Sequence, residues 1–135
     1  MIMGHVTIRT KKFDEEIKFY EDVVGFNIVA DMRKRGSDIV FLAEKEECTK
    51  IEIIRQDNAS DSGNEKIVSS GNENISKEFE FISIGFEVSD AEKYREELIA
   101  KGIEAGPMIS PVPPVKFFFV KDPAGVNIQF VTQKK

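Results

Sequence analysis

The sequence lacks the features that mark several broad classes of protein. It has a single cysteine, Cys48, so an internal disulfide is impossible. It has no apolar run close to the roughly 20 residues that a membrane-spanning helix needs. The opening stretch "MIMGHVTIRT" turns polar too early for a signal peptide. We therefore expect a cytoplasmic protein with no membrane partner.

An excess of positive charge is also missing. The chain has 19 Lys and Arg against 24 Asp and Glu, which gives a formal net charge of -5. The basic residues are scattered among acidic ones, so no bulk field would attract nucleic acid. Hydrophobic residues make up 41% of the 135 residues, which predicts a globular chain rather than a disordered one. Nucleic acid is therefore not an expected partner.

The only histidine, His5, lies in a stretch with strand-like alternation. In "HVTIRT", Val6 and Ile8 share one face of the predicted strand, and His5 and Thr7 share the other. A predicted helix follows in "KKFDEEIKFYEDVVGF", where apolar residues recur at helical spacing. Three short strand-like runs then complete the first half of the chain, "FNIVADMR", "DIVFLAE" and "KIEIIRQ".

The same pattern returns after a polar segment, Asp57 to Lys77, which we interpret as a linker. A strand is predicted in "FISIGFEV", a helix with Asp90 as its N-cap in "DAEKYREELIAKG", and further strands in "IEAGPMI", "KFFFVKD" and "NIQFVTQ". Gly25 and Gly102, each at a helix end, lie 102 - 25 = 77 residues apart. The sequence therefore predicts an α+β fold of eight strands and two principal helices, in two tandem βαβββ modules.

The repeat also predicts which polar residues occupy equivalent positions. His5 and Ser83 are separated by 83 - 5 = 78 residues, and Glu52 and Gln129 by 129 - 52 = 77. One βαβββ module leaves a sheet face that its own helix does not cover, and a second module can cover it. We therefore expect these four residues to line a space between the modules.

The chain resembles the vicinal oxygen chelate superfamily, which includes glyoxalase I, methylmalonyl-CoA epimerase, extradiol dioxygenases and the bleomycin and fosfomycin resistance proteins. The resemblance runs from Met3 to Thr132 and is carried by "GHVTI" before "FYEDVVGF", by "SIGFEV" before a helix ending in "AKGI", and by "FFFVKDPAGVNIQFV". It implies one domain over residues 1–135, with module one at 1–56, the linker at 57–77 and module two at 78–135. It also implies a cup-shaped sheet assembly around a divalent metal, often in a homodimer.

The resemblance further implies which residues hold the metal. His5 and Glu52 match two ligand positions of the family, whereas Ser83 stands where a second His is common and Gln129 where Glu is common. His5, Glu52 and the Gln129 oxygen are therefore the expected ligands, with Ser83 lining the site. Because a hydroxyl and an amide replace the other two groups, binding of Zn, Ni, Mn or Co is expected to be weak or absent.

Two functions follow from the resemblance and stay open. One is a glyoxalase-like protein of the lactoylglutathione lyase type, a metal-dependent lyase or isomerase in which Glu52 moves a proton on a small oxygenated metabolite. The other is a metal-free small-molecule binding or resistance protein of the bleomycin-resistance type. An extradiol dioxygenase is disfavoured because its iron site needs two histidines and a carboxylate.

Overall fold

The computed structural model describes residues 1–57 and 82–133. The chain divides into two compact units, Met1–Asn74 and Ile75–Lys135. Apart from Asp57, the predicted linker lies outside the described residues. The assignment of both units to one domain stays a prediction.

The first unit is a βαβββ module, as the alternation and the helical spacing predict. Its sheet has the strand order β1-β4-β3-β2, in which β1 and β4 are parallel and the other pairs are antiparallel. Because two parallel strands need a crossover between them, the helix after β1 packs against the sheet. The elements are β1 (His5–Thr10), α1 (Phe13–Phe19) continued by a π-helical turn (Tyr20–Val24), β2 (Asn27–Asp31), a 3-10 helix (Met32–Arg35), β3 (Ile39–Ala43) and β4 (Lys50–Arg55).

The core of the first unit lies between its helix and one face of its sheet. Ile8, Ile53 and Val40 are register partners on neighbouring strands and are at most 3% exposed. Phe13 at the start of α1 is fully buried. Gly25 ends the helical segment with a left-handed φ of 85°. The predicted C-cap and the predicted buried face of β1 are both confirmed.

The second unit repeats the arrangement with a three-stranded sheet. Its strand order is β5-β7-β6, with β5 parallel to β7 and β6 antiparallel to it. On its inner face Phe130 pairs with Phe118 and with Phe86; Phe118 and Phe130 are buried and Phe86 is half-buried. The Tyr94 ring packs edge-on against Phe130, with their centroids 4.9 Å apart. The elements are β5 (Ser83–Glu87), α2 (Ala91–Ala100), β6 (Lys116–Lys121) and β7 (Asn127–Thr132).

One predicted strand is wrong. In "IEAGPMI" the structure has only an isolated bridge, between Ile109 and Phe117, so the described residues contain seven strands rather than eight. Gly106 and Pro107 interrupt the alternation, and the cis Pro113-Pro114 bond lies in the irregular loop that follows. Because proline has no N–H to donate, it is poorly suited to a ladder position.

Within the described ranges, no helix has the length and apolar character that crossing a membrane requires.

The two helices that the sequence predicts are both present, and α2 begins as expected, because the Asp90 carboxylate accepts a hydrogen bond from the Lys93 N–H at 3.1 Å. The α+β class and the two βαβ-type modules are therefore confirmed.

Candidate functional site

The sheet face of the first unit opposite its helix carries a row of three register partners. Thr7 on β1 lies beside Glu52 on β4, and Glu52 lies beside Phe41 on β3. Directly paired residues on neighbouring strands project from the same face of a sheet, so their side chains meet. The alternation that buries Ile8 thus directs Thr7 to the opposite side, where it is exposed.

Glu52 is the centre of this row. Its Oε1 accepts a hydrogen bond from the Thr7 hydroxyl at 2.5 Å and lies 3.4 Å from Nε2 of His5. The Glu52 side chain is 14% exposed, whereas that of His5 is 48% exposed. One carboxylate oxygen therefore faces both a hydroxyl and the only imidazole of the chain, on a surface that a small molecule can reach.

Apolar side chains border the polar pair His5 and Glu52. The Phe41 ring meets the His5 ring edge-on, with their centroids 5.6 Å apart. Ile39 and Ile54 are paired residues on the same sheet face and are half-buried. The face therefore combines a few polar groups with apolar surface, as small-molecule sites commonly do.

The second unit has an equivalent row. Gly85 on β5 pairs with Gln129 on β7, and Gln129 pairs with Phe119 on β6. A Cβ atom added to Gly85 would lie 3.1 Å from Oε1 of Gln129. The Gln129 side-chain oxygen therefore lies close to the β5 backbone, in space that the absence of a side chain at Gly85 leaves open.

Ser83 and Gln129 lie on this same face of the second sheet. Ser83 is exposed and pairs with Asn127, two residues before Gln129 on β7. His5 and Glu52 are brought together within the first unit. The expectation that all four residues line one space involves both units and stays a prediction.

The donor set of the first unit supplies part of what a divalent metal requires. His5 Nε2 and Glu52 Oε1 are 3.4 Å apart, which is the separation of two ligands on one tetrahedral ion with bonds of about 2.1 Å. Among the described residues, however, no group of three or more His, Cys, Asp or Glu is arranged to hold a metal ion. His5 and Glu52 thus supply two of the four ligands of a tetrahedral metal site, and two protein ligands are consistent with weak metal binding.

A groove with a volume of about 470 Å³ lies along β6 in the second unit. Phe119 and Ile103 contribute apolar surface to it, and Lys121 and Asn127 contribute polar groups. The Lys121 ammonium donates to the Asn127 side-chain oxygen at 2.9 Å. Since Phe119 belongs to the Gly85–Gln129 row, the groove adjoins the face that carries Gln129.

Sequence reasoning missed two features of the first row. It assigned Thr7 to the face of His5 but did not identify its hydrogen bond to Glu52, and it did not single out Phe41. The repeat contains a signal for Phe41, because Phe41 and Phe119 lie 119 - 41 = 78 residues apart. That is the spacing of His5 and Ser83.

The family model described as "Glyoxalase/Bleomycin resistance protein/Dioxygenase superfamily" matches residues 2–130. No curated protein matches the chain. Among solved structures, a glyoxalase family protein from Bacillus anthracis is 23% identical, with a TM-score of 0.67 over 99% of this chain and 96% of that chain.

Two further solved structures have a similar fold. The lactoylglutathione lyase from Agrobacterium tumefaciens is 14% identical, with a TM-score of 0.66 over 97% of this chain and 92% of that one. The fosfomycin resistance protein FosX from Listeria monocytogenes is 16% identical, with a TM-score of 0.68 over 99% and 96%. At these identities the likeness shows the fold alone.

Proposed function

Because the chain belongs to the glyoxalase, bleomycin resistance protein and dioxygenase superfamily, we propose that it binds a small oxygenated molecule on the sheet face that carries His5, Thr7 and Glu52. One observation carries this proposal: Oε1 of Glu52 faces the Thr7 hydroxyl at 2.5 Å and His5 Nε2 at 3.4 Å. A hydroxyl or carbonyl group can bond to this pair while its carbon atoms pack on Phe41.

The charge of the expected ligand set favours binding over metal chemistry. Glu52 is the only carboxylate among the four expected positions, because Gln129 and Ser83 are neutral. A divalent cation there would retain net positive charge, and an amide and a hydroxyl are weaker ligands than a carboxylate and an imidazole. We therefore propose weak metal affinity, with His5, Glu52 and the Gln129 oxygen as ligands if a cation is held.

A glyoxalase-type lyase or isomerase is the second candidate. The 3.4 Å separation of His5 Nε2 and Glu52 Oε1 favours it, because two ligands of one ion stand that far apart. A bound divalent metal would supply polarisation of a substrate oxygen. In this candidate His5 and Glu52 would hold the metal, and Glu52 moves a proton from the carbon next to a carbonyl group of the substrate.

The single histidine allows a direct test of binding. His5 gives the only imidazole signals in an NMR spectrum, so a panel of small hydroxy acids, diols, 2-oxoaldehydes and their thiol adducts can be screened against them. We expect at least one compound to shift the His5 signals, and Glu52→Gln to weaken that binding. A panel that leaves these signals unchanged would contradict the proposal.

Calorimetry with Ni²⁺ and Zn²⁺ distinguishes the two candidates. We expect weak heats for the wild type, none for His5→Ala, and markedly tighter binding when Ser83→His and Gln129→Glu are combined. Tight binding by the wild type, together with turnover of a 2-oxoaldehyde thiol adduct that Glu52→Gln abolishes, would favour the lyase instead. A double variant that binds no better than wild type would show that Ser83 and Gln129 do not share a site with His5.

A further inference from the structure

The two equivalent rows differ at their first-strand position. In the first unit this position is Thr7, whose hydroxyl donates to Oε1 of Glu52 at 2.5 Å. In the second unit it is Gly85, which has no side chain to donate and leaves its space to Gln129. The central side chain of the first row, Glu52, therefore accepts a hydrogen bond from a hydroxyl on the first strand. The central side chain of the second row, Gln129, has no such donor at the equivalent position, Gly85.

The contact with Thr7 restricts Glu52 more than the strand pairing does. A glutamate on a sheet face can populate several staggered rotamers, whereas a hydrogen bond to a charged acceptor favours the rotamers that keep it. Thr7 is β-branched and therefore stiff about χ1, so its hydroxyl is itself well positioned. The oxygen that it holds is the oxygen that lies 3.4 Å from Nε2 of His5.

We propose that Thr7 is a positioning residue, which acts through Glu52 by holding its Oε1 beside Nε2 of His5. The inference rests on the proposed function only in that this pair is the ligand-binding pair. Without the hydroxyl, Glu52 samples other rotamers, and the carboxylate and the imidazole no longer present one fixed pattern of donor and acceptor to a ligand.

The variant Thr7→Val tests this directly, because valine keeps the β-branched shape and replaces the hydroxyl with a methyl group that cannot donate a hydrogen bond. Thr7→Ser restores a hydroxyl. Thr49→Val is the matched control, since the Thr49 hydroxyl donates to the Met3 carbonyl at 2.8 Å rather than to the pair. The measurements are the side-chain coupling constants of Glu52 and the cross-relaxation between the His5 ring and the Glu52 Hγ protons.

In the wild type, Thr7→Ser and Thr49→Val, we expect Glu52 couplings of one dominant rotamer and a clear cross-peak to His5. In Thr7→Val we expect couplings averaged over the staggered rotamers and loss of the cross-peak, while the amide spectrum of the core stays unchanged. Unaltered Glu52 couplings in Thr7→Val, or the same loss in Thr7→Ser, would overturn the proposal. These measurements use the free protein, so they remain decisive even if no compound of the panel binds.

Discussion

At the scale of single residues, Asp31 shows how a neighbouring guanidinium changes a titration. The Arg33 side chain donates to both carboxylate oxygens, through Nε at 2.8 Å and through Nη2 at 2.6 Å. This hydrogen bonding lowers the pKa of Asp31 from 3.8 to about 2. Because the folded pKa is lower than the unfolded one, the stabilisation is present above pH 3.8 and is lost as the pH falls through about 2.

The substitution Arg33→Ala tests this contact. We expect the pKa of Asp31 to rise towards its ordinary value, and the pH dependence of unfolding between about 3.8 and about 2 to weaken. A titration of the side-chain carboxyl signals by NMR measures the change. Arg35→Ala is the control, because it removes a neighbouring guanidinium and leaves the hydrogen bonds from Arg33 to Asp31 intact. An Asp31 titration that is the same with and without Arg33 would show that the contact does not form in solution.

At the candidate site, the sequence predicted which residues share a sheet face but not how their side chains are placed. Alternation assigned His5 and Thr7 to one face, and the repeat identified Glu52 and Gln129 as equivalent, which the register pairs confirm. Neither pattern specifies a side-chain rotamer. The Thr7–Glu52 hydrogen bond depends on rotamers, so only the structure reveals it.

At the scale of secondary-structure elements, the sequence predicted best where local chemistry was unambiguous. β1 spans the predicted "HVTIRT", and α2 follows directly after the predicted N-cap at Asp90. The prediction was wrong for "IEAGPMI", where Gly106 and Pro107 interrupt the alternation and Pro107 has no N–H to donate to a neighbouring strand. Periodicity indicates which side chains point towards the core. Whether a strand forms also depends on backbone N–H groups that can pair with a neighbouring strand.

The N-cap of α2 gives a prediction at this scale. We expect Asp90→Ala to lower the free energy of unfolding by about 1 kcal/mol, because the Lys93 N–H loses its acceptor. Asp90→Asn should keep most of the stability, since its side-chain oxygen can accept the same bond. Urea denaturation measures both.

Glu96→Ala is the control for the cap, because Glu96 is exposed in the interior of α2. We expect this change to leave the free energy of unfolding almost unaltered, since alanine is a good helix former. If Asp90→Ala were as stable as Glu96→Ala, the capping bond would contribute nothing to stability.

At the scale of the whole molecule, the repeat is confirmed by register and not only by spacing. Thr7, Glu52 and Phe41 form one row, and Gly85, Gln129 and Phe119 form the equivalent row. The sequence could not establish whether the two rows share one ligand, because alternation within a strand carries no information about the partner of a sheet face. Calorimetry of the Ser83→His and Gln129→Glu double variant tests whether the two rows share one ligand.

The edge strands of the sheets lead to the last prediction, a homodimer. Beside β6 the described chain forms the bridge between Ile109 and Phe117 and a hydrogen bond from the Gly106 N–H to the Phe119 carbonyl, so this edge of the second sheet is paired irregularly. Ile109 is 38% exposed and Val112 is 65% exposed next to it. Unpaired edges with apolar side chains favour association, and closed pairs of identical chains are the commonest result.

Light scattering across micromolar concentrations measures the mass, which we expect to be that of two chains. Ile109→Lys should shift the mass towards one chain if the β6 edge is part of the interface, because a charge there opposes strand pairing. Ile99→Lys, on the exposed face of α2, is the control for adding a lysine at an exposed isoleucine. A wild-type mass of one chain at all concentrations would contradict the dimer. A dimer that Ile109→Lys leaves intact would place its interface away from this edge.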